Sequence, residues 1–167
     1  MKPSTSSILR ASKILFATGW RLCIYQMLSY LRMDTIFSKI ISREVSADIV
    51  YEDDIALAFL DIAPVTEGHT LVIPKKWSRN FFDTDEATLQ HLFLVAQKIA
   101  RSLQTSLGAK GVNVQCNSEP EAGQTVFHFH IHLIPRFGDD ALVLWPQGSY
   151  EKGRATELAQ KIKAAIH

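Results

Sequence analysis

Cysteine is nearly absent from this chain of 167 residues: Cys23 and Cys116 are the only two. Two isolated thiols make neither a disulfide framework nor a cysteine-rich metal cluster, so the sequence points to a reducing compartment and to a fold held by its core. Acidic residues are missing from residues 1–33, which carry Lys2, Arg10, Lys13, Arg21 and Arg32. A clean apolar run is missing as well. The stretch from Ile14 to Leu31 is long enough to span a bilayer, but Arg21 would lie mid-span beside Thr18, Gln26 and Ser29, which is poor content for a spanning helix. No small-residue cleavage site follows a short apolar block, so a secretory signal fits badly. Internal repeats and low-complexity tracts are lacking too. A basic face is the last absence. The net charge of +1 hides a remainder with 13 basic and 17 acidic residues, a net of −4, which argues against a nucleic-acid partner.

What is present is a globular mixture, 47% hydrophobic and 21% charged, enough apolar material for one core. Three parts are expected: a basic, apolar extension over residues 1–33, a domain over 34–140, and a C-terminal segment with a helix over 141–167. The extension has the composition of a mitochondrial transit peptide, Ser-rich near its start and free of acids. A misassigned start before Met33 produces the same pattern, and the apolar content also leaves contact with a membrane surface open. The expected location is the cytoplasm, or the mitochondrion if residues 1–33 are a transit peptide.

Within the domain, Ile36 to Ser42 reads as a short helix. Ile49–Glu52 and Ala56–Leu60 read as strands joined by a turn at Glu52-Asp53-Asp54, and Thr70–Ile73 as a third strand closed by Pro74. Leu89, Leu92, Phe93, Ala96, Ile99, Ala100, Leu103 and Leu107 recur at helical spacing. Asp83, three before Glu86, offers a capping-box-like start, and Gly108 a stop. Val112–Cys116 and Val126–Ile134 read as the fourth and fifth strands, the latter ended by Pro135, and Glu151–Ile166 as a final helix. The order helix, three strands, long helix, two strands, helix predicts an α+β domain with helices packed on an antiparallel sheet.

The informative stretch is His128-Phe129-His130-Ile131-His132-Leu133-Ile134. With a side-chain period of two, Phe127, Phe129, Ile131 and Leu133 point into the core, and His128, His130 and His132 share the opposite face. Buried imidazoles require partners or work. Three readings follow: hydrogen-bonded structural histidines, zinc ligands of the His-x-His kind, or a catalytic imidazole whose neighbours set its tautomer. The preceding Gly123-Gln124-Thr125, with a flexible backbone, an amide and a hydroxyl, favours the third, since these groups suit a phosphate or a leaving group.

The heptapeptide resembles the His-φ-His-φ-His-φ-φ signature (φ apolar) of the histidine-triad (HIT) family. Ile36-Phe37-Ser38-Lys39-Ile40-Ile41 looks like that family's opening helix, and Tyr51-Glu52-Asp53-Asp54 like its first hairpin. Leu60-Asp61-Ile62-Ala63-Pro64 and Gly68 to Lys76 match its central motifs, and Asn117 with Gly123-Gln124-Thr125-Val126 the approach to the triad. The resemblance implies a HIT-like five-stranded sheet, extended across a homodimer through the long helix and a central strand. It also implies attack by His130 on the α-phosphate of a purine nucleotide, through a covalent nucleotidyl–histidine. His128 and His132 would orient the nucleophile or bind phosphate, and His69 would add a fourth imidazole. Asp61 would accept from the ribose hydroxyls. Ile36, Phe37, Ile40, Phe59 and Ile62 would form the base slot, while Asn117, Gly123, Gln124 and Thr125 would meet phosphate or leaving group. No cofactor or catalytic metal is implied, and Ser38 stands in the region of the opening helix where some bacterial relatives carry a zinc-binding Cys-x-x-Cys pair, which this sequence lacks. Two branches fit: nucleoside phosphoramidases releasing AMP, placed first, and dinucleoside polyphosphate hydrolases of the fragile-histidine-triad type, for which Arg136 would hold an extra phosphate. A nucleotide-binding regulatory module without turnover is the non-enzymatic alternative.

Overall fold

Thr35 opens the part of the chain that the computed structural model describes, residues 35–166 apart from 139 and 144. The basic segment of residues 1–33 lies outside the described residues. Helix α1 (Ile36–Ile41) starts at a capping box, in which the Thr35 side chain accepts from the Ser38 amide and the Ser38 side chain from the Thr35 amide, satisfying two amides that a helix start leaves open. Phe37 and Ile40 are its buried residues.

Strands β1 (Ile49–Glu52) and β2 (Ala56–Leu60) form the expected hairpin. Its turn is held by Asp53, whose Oδ1 accepts from the amides of Ile55 and Ala56 at 2.8 and 2.7 Å. Strand β3 (Thr70–Pro74) pairs with β2 from Leu60↔Thr70 to Ala56↔Pro74. Helix α2 (Glu86–Leu107) follows, then β4 (Gly111–Gln115) and β5 (Ile131–Arg136). The sheet order is β1-β2-β3-β5-β4 and every pairing is antiparallel. The fold is therefore α+β, with β1 and β4 at the sheet edges. Helix α3 (Arg154–Ala165) closes the described chain and buries none of its residues. Among the described residues, no helix is long and apolar enough to cross a membrane.

Period-two alternation splits the core into two clusters. Ala56, Ala58, Val72, Ile131 and Leu133 face α2 and pack against Leu92, Val95, Ala96, Ile99 and Leu103. Leu57, Phe59, Leu71 and Ile73 face the other way and pack against Phe37 and Ile40 of α1. The central strands are covered on both sides, so β2 and β3 read as continuous apolar runs.

Four expectations are corrected. The cap of α2 is Asp85, which accepts from the Thr88 amide; Asp83 instead accepts from the amides of Arg79 and Asn80. The fifth strand starts at Ile131, not Val126, and Pro135 lies inside it. Residues 126–130 run beside the loop after β3 instead: the Phe129 amide donates to Ser78 O at 2.8 Å, and Trp77 Nε1 donates to Phe127 O at 3.0 Å. Phe127 is not core; the Arg79 guanidinium covers its ring at 4.1 Å. On α2, Phe93 and Leu107 are exposed and Val95 is buried in their stead.

Candidate functional site

Four imidazoles meet on the face of the sheet opposite α2. His128 and His130 reach it from the irregular run before β5, His132 from β5 itself, and His69 from the turn entering β3. Gly68 makes that turn possible. Its φ of +83° is the left-handed region, and a Cβ there would come within 2.4 Å of Leu107 Cδ1. The turn is closed by the His69 amide donating to Thr66 O and the Asp61 amide donating to His69 O. His69, His128 and His130 are buried, and His132 is half-buried.

Hydrogen bonds to groups of fixed polarity assign the tautomers. A carbonyl only accepts, so His130 donates from Nδ1 to the carbonyl of His128 at 2.7 Å and carries its lone pair on Nε2. By the same rule His128 donates from Nε2 to Pro74 O at 2.8 Å, and its Nδ1 accepts from the Thr35 hydroxyl at 3.3 Å. An amide only donates, so Val65 N–H makes His69 Nδ1 an acceptor at 3.2 Å. His69 then donates from Nε2 to His132 Nδ1 at 3.0 Å, which leaves His132 with its proton on Nε2. The assembled face thus presents a lone pair on His130 and an N–H on His132, their rings 4.8 Å apart.

Burial lowers the pKa of all four histidines, and takes His128 and His132 down to about 4. Secondary effects differ: Asp61 opposes the shift at His69, and the carbonyls of Pro74 and His128 oppose it at His128 and His130. The imidazoles are therefore neutral at pH 7, the form in which a ring nitrogen is a nucleophile.

Asp61 stands at the edge of this group, its Oδ2 3.5 Å from His69 Nδ1 and its Oδ1 accepting from the Ala63 amide at 2.9 Å. The expected base-slot residues separate. Phe37 meets His130 edge-on with ring centroids 5.1 Å apart, and Phe37, Ile40 and Phe59 are buried together. Ile36 is exposed and Ile62 wholly so, at 100%. In the loop before the triad, Asn117 Nδ2 donates to Gly123 O at 3.4 Å, and Thr125 is exposed.

Two expected phosphate contacts are corrected. Gln124 is buried and directs its amide to Arg79 O and Val126 O, while its Oε1 accepts from the Glu119 amide; both N–H groups brace the loop and none is left for a phosphate. Arg136 is held in a fork by Asp140 at 2.6 and 2.9 Å, which neutralises the cation that an extra phosphate would need.

The three alternating histidines do not converge as ligands of one ion. Among the described residues, the group of three whose ligand atoms come within 4.8 Å of one another is Asp61, His69 and His132, and both ring nitrogens of His69 are already hydrogen bonded there. Two contributors escaped sequence reasoning. Thr35 lies three residues before Ser38, a spacing that signals a cap and could have been found. The Val65 amide is backbone, and no residue type announces it.

Comparison with known proteins agrees with this geometry. The HIT domain model matches residues 42–139, more than half of the chain. The Protein hit of Bacillus subtilis is 48% identical over 104 residues, covering 62% of this chain and 71% of that protein. A solved structure from Streptococcus mutans superposes with a TM-score of 0.76 at 43% identity, covering 80% of this chain and 86% of the other. A zinc-bound histidine-triad protein from Mycobacterium smegmatis gives 0.64 at 39% identity, covering 80% and 99%. The chain belongs to the HIT family, a family of nucleotide-binding hydrolases and transferases.

Proposed function

We propose that the protein hydrolyses purine nucleoside phosphoramidates and releases AMP through a nucleotidyl–His130 intermediate. The observation that carries this reading is the bond from His130 Nδ1 to the His128 carbonyl, because it directs the lone pair to Nε2 and stabilises the ring when it becomes cationic. In the first step Nε2 forms a bond to the α-phosphorus. The P–N bond of the substrate breaks, its electron pair goes to the amine nitrogen, and that nitrogen takes a proton from solvent. In the second step water adds to phosphorus, the P–Nε2 bond returns its pair to the imidazole, and a proton leaves to solvent. His132 Nε2–H supports the reading as a donor to a phosphoryl oxygen, and Asp61 as an acceptor for the ribose diol. Phosphoramidates are placed before dinucleoside polyphosphates because Arg136, the cation that ends β5, is paired with Asp140.

A homodimer belongs to the same reading. β4 is an edge strand, and beside it Phe93, Leu94 and Val114 are exposed around a cavity of about 620 Å³, an apolar surface of the kind that a partner covers.

Adenosine 5′-phosphoramidate is the test substrate. Wild type should release AMP and show one nucleotidyl group by intact mass after rapid quenching, whereas His130→Ala should lose turnover by at least about a thousandfold, as expected of a covalent nucleophile, and still bind AMP. Wild type that binds AMP and turns over neither a phosphoramidate nor a dinucleotide would establish the regulatory module instead.

A further inference from the structure

Thr35 caps α1 and also touches the triad, 93 residues further along the chain. Its hydroxyl meets the Ser38 amide at 3.1 Å, the Ser38 Oγ at 3.0 Å and His128 Nδ1 at 3.3 Å. The proton directions follow from the far end. Pro74 O only accepts, so His128 donates to it from Nε2 at 2.8 Å and offers a lone pair at Nδ1. Thr35 must then donate to that lone pair. Its single proton is thereby spent, and Ser38 Oγ must donate to Thr35 Oγ1. The hydroxyl gives one bond and accepts two, which is all that its oxygen makes, so it is held in one orientation. Bonds ordered in one direction, each polarising the next, run from Ser38 through Thr35 and His128 to Pro74 at the end of β3.

That chain of bonds pins an imidazole whose own backbone stands outside the sheet ladder. β5 begins at Ile131, so the His128 carbonyl lies ahead of it, in the irregular run whose Phe129 amide reaches Ser78. Yet this carbonyl is the acceptor that holds the His130 Nδ1 proton at 2.7 Å. The His128 ring is buried and anchored at both nitrogens, by the start of α1 on one side and the end of β3 on the other. α1 adds a second hold two residues on. The Phe37 ring meets His128 and His130 edge-on, with centroids 5.9 and 5.1 Å apart.

We infer that Thr35 is a positioning residue for the reaction: its hydroxyl locks the His128 ring, and through it the carbonyl that directs the His130 lone pair at phosphorus. The inference rests on the reading of His130 as the nucleophile. Thr35 itself touches no reacting atom. One neutral hydrogen bond contributes modestly to stability, whereas a displacement of the attacking nitrogen by about 1 Å can cost about a hundredfold in rate. The hydroxyl should therefore matter more to kcat than to folding.

Three substitutions in the full chain separate the hydroxyl from the cap. Thr35→Val keeps the shape and loses both. Thr35→Gly loses the hydroxyl, yet glycine caps a helix start about as well as threonine does. Thr35→Ser keeps both. With adenosine 5′-phosphoramidate as substrate, Thr35→Val and Thr35→Gly should each lower kcat by about tenfold to a hundredfold with KM within about twofold of wild type. Thr35→Ser should recover most of that loss. A Thr35→Gly variant with the kcat of wild type overturns the proposal, since the cap alone then explains the residue. So does a Thr35→Ser variant as slow as Thr35→Val, or a loss confined to KM. The imidazole protons, followed by NMR, give a readout that needs no turnover. The His130 Nδ1 proton should exchange slowly with solvent in wild type and faster in Thr35→Gly, and equal exchange in the two overturns the proposal. If wild type releases no AMP while the exchange responds as expected, the reading of His130 as nucleophile has failed and the positioning of its ring by Thr35 stands.

Discussion

His130 has two nitrogens, and a backbone carbonyl two residues back along its own chain decides which one bears the lone pair. Local neighbours of this kind also set the pH response. Burial holds the pKa of His69, His128, His130 and His132 below the ordinary 6.5. The unfolded chain then binds more protons than the folded one between the two values, so stability rises with pH across that window. It is fully present above about pH 6.5 and is lost as pH falls from there toward 4, the folded-state value of His128 and His132. Thermal unfolding should show a Tm that is flat above neutrality and falls by several degrees between pH 6.5 and 4.5, with a shallower fall in His128→Gln. The acid limb of kcat/KM should lie below pH 6.5, because the neutral form of His130 attacks; a limb above 6.5 would contradict the burial argument.

At the scale of elements, the short helices and strands read well and the capping chemistry read less well. Asp83 and Asp85 both precede α2, and spacing alone favoured Asp83; the three-dimensional turn at Arg79–Asn80 claims that carboxylate and leaves Asp85 as the cap. Each substitution to Ala should lower the Tm, yet only Asp85→Ala removes the cap and should speed amide exchange at Thr88. Faster exchange at Thr88 in Asp83→Ala would reverse the assignment. The fifth strand shows a related limit. Alternation continues through Phe127 and Phe129, so the sequence looks like strand from Val126 onward, but the amide of Phe129 finds Ser78 instead of a sheet partner. Partner choice is a long-range property and leaves no local trace.

The molecule as a whole is built on a sheet covered on both faces at its centre and open at its edges. The edge strand β4 and the exposed Phe93 and Leu94 support the proposed homodimer, and that proposal has a direct check. Light scattering of the purified chain should give the mass of two chains, and Leu94→Glu, which sets a charge on the apolar surface, should shift it toward one. A monomeric wild type at micromolar concentration would remove the dimer from the functional reading and leave the histidine site untouched, since all four imidazoles come from one chain.

The sequence by itself determined the order in which three histidines alternate with Phe129, Ile131 and Leu133, and within β5 the strand's period of two puts His132 on the opposite face from Ile131 and Leu133; His128 and His130 join His132 from an irregular run, and packing decided that. The sequence also determined the β1–β2 hairpin and the stop at Gly108, for local reasons. Only the tertiary structure decided which nitrogens hold protons, that Gln124 and Arg136 brace loops, and that Ile62 is uncovered while Phe37 meets His130. Those outcomes depend on groups far apart in the chain, such as Val65 against His69 and Thr35 against His128, whose meeting is settled by packing and by the demand that buried polar atoms find partners.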